Sequence, residues 1–169
     1  MISTEENDCL DIALSLDNVL VARTFSKSFS LAGLRLGYAV GSDKRIKSLF
    51  KIKDSYNVNA ISQKLALAAL SDINYMEMNV EKIKAARRKL SKALHDIGYK
   101  VFHSEANFLW VKPEGIKAKR LFEYLKKQHI LIRYFPGRRT NDFVRITIGS
   151  NREINILINA LYKIETYKR

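Results

Sequence analysis

Hydrophobic and polar positions along this chain follow two rhythms. Between residues 72 and 97, Ile73, Met76, Val80, Ile83, Leu90, Leu94 and Ile97 recur at steps of three, four and one of seven, which places them on one face of a long helix. Arg87 fills the slot that would divide the step of seven, so a cation interrupts the stripe, and Gly98 stands where a helix-ending glycine belongs. A helix this long predicts a strut between two folded parts rather than a member of a compact bundle. In residues 143–148 the rhythm is two: Val144, Ile146 and Ile148 share one face, Arg145 and Thr147 the other.

Shorter elements fill the remainder. The apolar run Val19-Leu20-Val21-Ala22 predicts a buried strand over residues 19–24, and residues 36–40 predict a second, closed by Gly41. Helices are expected from the Ser42 cap through residue 51, over 61–70 and over 115–128, with a loop at 54–59. Ser150-Asn151-Arg152-Glu153 has the spacing of a capping box, leading a last helix in which Ile154, Leu157, Ile158 and Leu161 share a face. Ser3-Thr4-Glu5-Glu6 offers a similar box for a helix through residue 16. Residues 99–102 follow the long helix, and further strands are expected at 107–111 and 130–134, the last followed by the turn signal Pro136-Gly137. Strands alternating with helices predict an α/β or α+β architecture, with the final three strands forming a sheet backed by helices.

Composition narrows the function classes. With 47% hydrophobic residues in 169, the chain has material for a real core, and no apolar run approaches the roughly 20 residues that span a bilayer. The polar, acidic start from Met1 to Glu6 is unlike a secretory signal, so a soluble cytoplasmic chain is expected. Cys9 is the single cysteine, which excludes an internal disulfide and a multi-cysteine zinc site, and no metal is expected. The formal charge of +13 raises nucleic acid as a partner. Its densest cluster, Lys82, Lys84, Arg87, Arg88, Lys89 and Lys92, lies on the long helix and reads as that helix's solvated side. No aromatic RNA-binding signature, Cys/His finger or phosphate loop accompanies it, so no nucleic-acid and no membrane partner is expected. A positive field also draws anionic small molecules, and these are the expected ligands.

The candidate chemistry sits in Thr24-Phe25-Ser26-Lys27-Ser28-Phe29-Ser30-Leu31-Ala32-Gly33-Leu34-Arg35-Leu36-Gly37. A lysine condenses with an aldehyde only as its neutral amine, and a phosphate needs hydroxyl donors and a planar guanidinium. Thr24, Ser26 and Ser28 supply hydroxyls, Lys27 the amine and Arg35 the guanidinium, after a predicted strand. Further along, Arg145 points away from the apolar face of its strand and Arg133 interrupts an otherwise apolar run. Cations so placed serve as strand-end charges, as halves of ion pairs, or as ligands of an anion.

The segment TFSKSFSLAGLRLGY resembles the lysine segment of the pyridoxal-phosphate aminotransferases of fold type I, class I/II, and among these most nearly that of the histidinol-phosphate aminotransferases. The resemblance implies pyridoxal 5'-phosphate as cofactor, an α/β fold with an α+β small domain, and a homodimer. Lys27 matches the lysine that holds the cofactor and then moves the substrate proton; Thr24, Ser26 and Arg35 match positions that hold the cofactor phosphate. Arg145, within FVRITIG, matches an arginine that grips the substrate anion, and Arg133, within LIRYFPG, matches a second. Tyr56-Asn57-Val58-Asn59 and Ala106-Asn107-Phe108 match further landmarks.

The implied reaction takes L-histidinol phosphate and 2-oxoglutarate to imidazole acetol phosphate and L-glutamate. A broad amino-acid aminotransferase and a threonine-phosphate decarboxylase share the lysine motif, and a non-catalytic fragment or assembly module is the reading from another class. In the family an Asp-x-x-Tyr segment before the lysine holds the cofactor's ring nitrogen. Here the only such spacings, Asp72-Ile73-Asn74-Tyr75 and Asp96-Ile97-Gly98-Tyr99, follow Lys27 and read as helix-boundary residues. The chain is therefore expected to correspond to the C-terminal half of a full-length enzyme and to be inactive alone. Residues 1–71 would be the end of the cofactor-binding large domain, and residues 72–169 the connecting helix and small domain.

Overall fold

The computed structural model describes residues 9–166, which form two compact units meeting in sequence between Val80 and Glu81. The capping box expected at Ser3 to Glu6 lies outside the described residues.

In the first unit, α1 (Leu10–Ser15) precedes a two-stranded antiparallel ribbon of β1 (Leu20–Thr24) and β2 (Gly37–Gly41), in register from Leu20↔Gly41 to Thr24↔Gly37. Gly37 is required at the closing pair, since a Cβ there would lie 2.6 Å from the Arg23 carbonyl oxygen. Then come α2 (Asp43–Phe50) and α3 (Ala60–Leu70). The Asn59 side chain caps α3 by accepting the Ser62 N–H at 2.8 Å. The expected burial of β1 is corrected: its residues alternate between exposed and half-buried. An apolar run of this kind suits a strand covered on both faces, and among the described residues β1 has one partner strand. Phe50, Ile52, Ile61 and Leu67 of the same unit are exposed as well.

The long helix is α4 (Ile73–Asp96), within one residue of the expected bounds at each end. Asp72 accepts the Tyr75 N–H at 3.2 Å, an N-cap bond, and Asp96 ends the helix as an acceptor for Lys92 at 2.8 Å, so both aspartates are boundary residues. Gly98, at φ +82°, closes it: the Tyr99 N–H reaches the Leu94 carbonyl at 2.9 Å and the Gly98 N–H the His95 carbonyl at 2.8 Å, with Tyr99 and Leu94 both buried. This is the Schellman arrangement, in which the left-handed residue is normally glycine.

The second unit is a four-stranded antiparallel sheet in the order β3 (Lys100–Val101), β4 (Phe108–Lys112), β6 (Val144–Thr147), β5 (Arg133–Tyr134), with α5 (Ala118–Lys127) and α6 (Asn151–Thr166). The expected sheet of three strands gains the two-residue edge strand β3. One face of the sheet is apolar and fully buried, with Leu109 and Val111 of β4 and Val144 and Ile146 of β6 meeting Leu90 and Leu94 of α4, Leu121 of α5 and Leu161 of α6. Each such side chain contributes about 1.5–3 kcal/mol, so this face decides which side of every strand looks outward. α5 starts at Ala118, later than expected, because Gly115 at φ +72° still belongs to the turn.

The capping box at α6 forms as its spacing predicts. Ser150 donates its N–H and its hydroxyl to the Glu153 carboxylate, each at 2.7 Å, and a Cβ on Gly149 would strike that carboxylate oxygen at the same distance. The bonds from the Ser150 hydroxyl and then from its backbone N–H hold the Glu153 carboxyl below its ordinary pKa. A lowered carboxyl pKa means that the cap's contribution is present at neutral pH and lost as the pH falls through that lowered value. Amide exchange at Ser150 is accordingly expected to accelerate, beyond its intrinsic pH dependence, only in acid below the ordinary glutamate range.

A second Schellman turn ends α5, with the Ile130 N–H on the Leu125 carbonyl at 2.9 Å, but its left-handed residue is His129, at φ 58°. A side chain in that conformation costs about 1–2 kcal/mol relative to the right-handed form, part of which glycine's greater unfolded-state freedom offsets. His129→Gly is expected to stabilise the chain by about 1 kcal/mol in urea unfolding followed by circular dichroism.

Candidate functional site

The candidate residues fall into two sets, one in each unit. The first lies at the tip of the β1–β2 ribbon. Beyond the closing pair Thr24↔Gly37, the Phe25 N–H bonds the Leu36 carbonyl at 3.2 Å and the Leu31 N–H bonds the Phe25 carbonyl at 3.1 Å, tying off the intervening loop. Phe25 is the loop's anchor, buried against Phe29 at 5.0 Å and Tyr38 at 6.0 Å between ring centroids. The polar residues on either side are thereby turned outward.

Thr24 Oγ1 accepts the Ser26 N–H at 3.1 Å and lies 2.8 Å from Ser26 Oγ, so two hydroxyls converge at the end of β1. Lys27, next in sequence, is exposed, and its carbonyl accepts the Ser30 N–H at 3.0 Å. A 3₁₀ turn at Ala32–Leu34 brings the chain back, and its far end is pinned where the buried Ser62 hydroxyl donates to the Leu34 carbonyl at 3.3 Å. Arg35 then adopts φ 53°, a left-handed backbone for a residue with a side chain, while its Nη1 donates to the Ala32 carbonyl at 3.0 Å. Strain of this sort costs on the order of 1–3 kcal/mol and concentrates at functional positions. Thr24, Ser26, Lys27 and Arg35 thus belong to one small loop. The desolvated setting that a condensing amine requires is not formed around Lys27 by the described residues.

The second set lies on the outward face of the second unit's sheet. Because Val144 and Ile146 point into the core, Arg145 points out, and it stands directly opposite Trp110 on one side and Arg133 on the other. Two arginines facing each other across a strand pair repel one another unless an anion lies between them. The Phe135 ring lies under both guanidinium groups, 5.3 Å from Arg133 Cζ and 5.8 Å from Arg145 Cζ, and the Phe108 ring lies 5.4 Å from Arg145 Cζ. Trp110 stacks on Phe143 at 5.4 Å and touches Phe135 at 5.9 Å. Arg145 Nε is buried and makes no hydrogen bond. Arg145 as a whole is half-buried, and a buried N–H donor without a hydrogen bond costs free energy that an anionic acceptor would offset.

Sequence reasoning identified both arginines but not their aromatic bed. The signal was present, since period-two alternation in β4 sets Phe108 and Trp110 opposite Leu109 and Val111, on the face that carries Arg145. It also misplaced Arg87. That residue was grouped with the solvated lysines, yet it is buried, donating Nη2 to the Glu105 carboxylate at 2.7 Å and Nη1 to the Ala106 carbonyl at 2.9 Å. Its slot in the apolar stripe of α4 was the better guide.

Residues 6–161 match the profile of the family described as aminotransferase class I and II. The chain belongs to that family. This aminotransferase chain is 46% identical over 156 residues to histidinol-phosphate aminotransferase 1 of Trichormus variabilis, a match that covers 92% of the chain and 45% of the relative. Among solved structures, the histidinol-phosphate aminotransferase of Clostridium acetobutylicum superposes with a TM-score of 0.87 at 26% identity, over 98% of this chain and 51% of that one. That of Sinorhizobium meliloti, solved in complex with pyridoxal-5'-phosphate, superposes with a TM-score of 0.81 at 28% identity, over 95% and 44%. The aminotransferase chain therefore has the mixed α/β fold of these enzymes and spans about half their length. No helix among its described residues is long and apolar enough to cross a membrane.

Proposed function

We propose that this aminotransferase chain carries the lysine loop and the anion-gripping arginines of a pyridoxal 5'-phosphate-dependent enzyme whose amino donor is L-histidinol phosphate and whose acceptor is 2-oxoglutarate. The observation that carries the substrate reading is the opposition of Arg133 and Arg145 over a shared aromatic ring, with Arg145 Nε buried and unpaired. An anion is what such a pair lacks. One pocket of this kind serves a phosphate monoester in one half-reaction and a dicarboxylate in the other.

The donor set of the lysine loop fits the cofactor. Two hydroxyls, one amine and one guanidinium on the same short loop suit a phosphate ester that also bears an aldehyde. Bound there, pyridoxal phosphate supplies the electron sink for breaking a bond at the substrate's amine-bearing carbon. Thr24 Oγ1 and Ser26 Oγ would donate to phosphate oxygens. Arg35, already fixed by its bond to Ala32, would offer its remaining N–H groups to the same phosphate. Lys27 Nζ would be the group that holds the cofactor's aldehyde and, as a free amine, the base that would move the proton at the substrate's amine-bearing carbon.

We also assign residues 1–71 to the end of the cofactor-binding domain and 72–169 to the connecting helix and small domain. The enzyme is a cytoplasmic homodimer with small-molecule substrates on this reading. The test is to incubate the chain with pyridoxal 5'-phosphate, reduce with borohydride and map the labelled peptides. Label concentrated at Lys27 supports the reading, and label spread evenly over the surface lysines overturns the assignment of that loop.

A further inference from the structure

Arg87 lies on α4 and belongs to neither set of candidate residues, yet its guanidinium ends on the loop that leads into β4. Its two bonds, to the Glu105 carboxylate at 2.7 Å and to the Ala106 carbonyl at 2.9 Å, hold that loop. Inside the loop Ser104 Oγ donates to the Phe108 carbonyl at 2.6 Å and accepts the Ala106 N–H at 3.1 Å. The adjoining Asn107 carbonyl accepts the Ile148 N–H at 2.9 Å, fastening the loop to the strand that bears Arg145. The next residue is Phe108, whose ring lies against the Arg145 guanidinium.

We propose that Arg87 is a positioning residue for the anion grip: by clamping Glu105 and Ala106 it fixes the Phe108 ring that aims Arg145. The inference rests on the reading of Arg133 and Arg145 as an anion site. A side chain serving the core alone would be better apolar, because burying a guanidinium is costly and a hydrophobic residue in the same slot would continue the stripe of Ile83, Leu90 and Leu94. What the arginine adds is direction. It reaches a carbonyl and a carboxylate at once, fixing two successive residues of the loop, which neither a hydrophobic residue nor a lysine reproduces in full. The consequence for Arg145 follows from geometry. A cation–π contact depends on ring placement within about 6 Å, and Arg145 Nε, having no hydrogen bond of its own, relies on its aromatic neighbours for its aim.

Trp110 is the chain's single tryptophan and the cross-strand neighbour of Arg145, so its fluorescence reports on this site. The experiment titrates the full chain with inorganic phosphate, reading Trp110 emission and, by nuclear magnetic resonance, the Arg145 Nε–H signal. The wild type, Arg145→Gln, Arg87→Gln, Arg87→Lys and Glu105→Gln are compared, with far-UV circular dichroism to show which variants are folded. Arg87→Gln and Glu105→Gln are expected to weaken phosphate binding by about three- to tenfold and to shift the Arg145 Nε–H signal before any ligand is added, with Arg87→Lys between them and the wild type. Should Arg87→Gln fail to fold, Glu105→Gln, which keeps the shape of the side chain, decides. Binding within twofold of wild type with the Arg145 signal unmoved overturns the positioning role while the anion site stands. Wild type that gives no phosphate response, or one that survives Arg145→Gln, overturns the anion site and the inference with it.

Discussion

Arg145→Gln is expected to weaken binding of a phosphate monoester by at least tenfold and, in the same variant without ligand, to change fold stability by no more than about 1 kcal/mol. The two effects differ in size for one reason. A charge-assisted, forked hydrogen bond from a guanidinium to a phosphate contributes roughly 1.5–3 kcal/mol, or about ten- to a hundredfold in affinity. Without a ligand the same guanidinium faces Arg133 across β5 and β6, and like charges so placed are destabilising by about 0.2–1 kcal/mol. Glutamine removes that repulsion together with the cation–π contacts to Phe108 and Phe135, each about 0.5–1 kcal/mol, so the two largely offset. Arg133→Gln is expected to show the same pattern with a smaller loss of affinity, because Arg133 is exposed and its field is screened. Fluorescence titration at Trp110 and urea unfolding check the two halves. If the arginines were strand-end charges with a structural task, both substitutions would lower stability and leave phosphate affinity unchanged.

The other large effect is at Lys27. Lys27→Ala is expected to reduce borohydride-trapped pyridoxal 5'-phosphate on the loop peptide to background, and Lys27→Arg to do the same, since a guanidinium stays protonated and does not condense with an aldehyde. On the proposed reading, what sets Lys27 apart from the other surface lysines is the pair of hydroxyls and the guanidinium on the same loop. Thr24 and Ser26 hold their hydroxyls together and Arg35 is locked in a left-handed conformation at the opposite end of the loop. Tethering the phosphate there raises the local concentration of the aldehyde at one amine, and an excess of Lys27 labelling on the order of tenfold over an average lysine is expected. Arg35→Ala should remove most of that excess while leaving Lys27 itself in place. Peptide mapping by mass spectrometry reads each variant, and a label equally abundant in Lys27→Ala would show that the loop has no special chemistry.

Much of the second unit was legible in the sequence because local and global signals agree there. The steps of three and four in α4, the alternation in β6 and the Ser150/Glu153 capping box each describe a residue's surroundings completely within the chain, and each forms where its pattern places it. Gly98 is the same kind of case, since its left-handed turn is dictated by the helix it ends. The patterns failed where a residue's environment is set by something distant in sequence. Arg87 is buried because Glu105 and Ala106 come back to meet it, which its helical neighbourhood does not reveal. β3 is an edge strand held by two pairings to β4, too short to show a period of its own. β1 reads as a buried strand from its Val and Leu residues but is half-exposed, as is consistent with a chain that spans about half the length of its relatives.

The candidate site divides the same way. Residue types at fixed spacing revealed Thr24, Ser26, Lys27 and Arg35, since all four belong to one loop closed by Phe25 and Gly37. The arginine pair was visible as two interruptions of apolar runs. That Arg133 and Arg145 are register partners over Phe135 follows only from the pairing of β5 with β6, and the loop between those strands hides that register from the sequence.

The central claim is that the outward face of the second unit grips the anionic group of a phosphorylated amine. The most direct measurement compares L-histidinol phosphate with L-histidinol in titrations of the chain followed by Trp110 fluorescence, at fixed ionic strength. The phosphorylated ligand is expected to bind at least tenfold more tightly, with the difference abolished in Arg145→Gln. Equal affinity for the two ligands, or a preference that persists in Arg145→Gln, would contradict the claim.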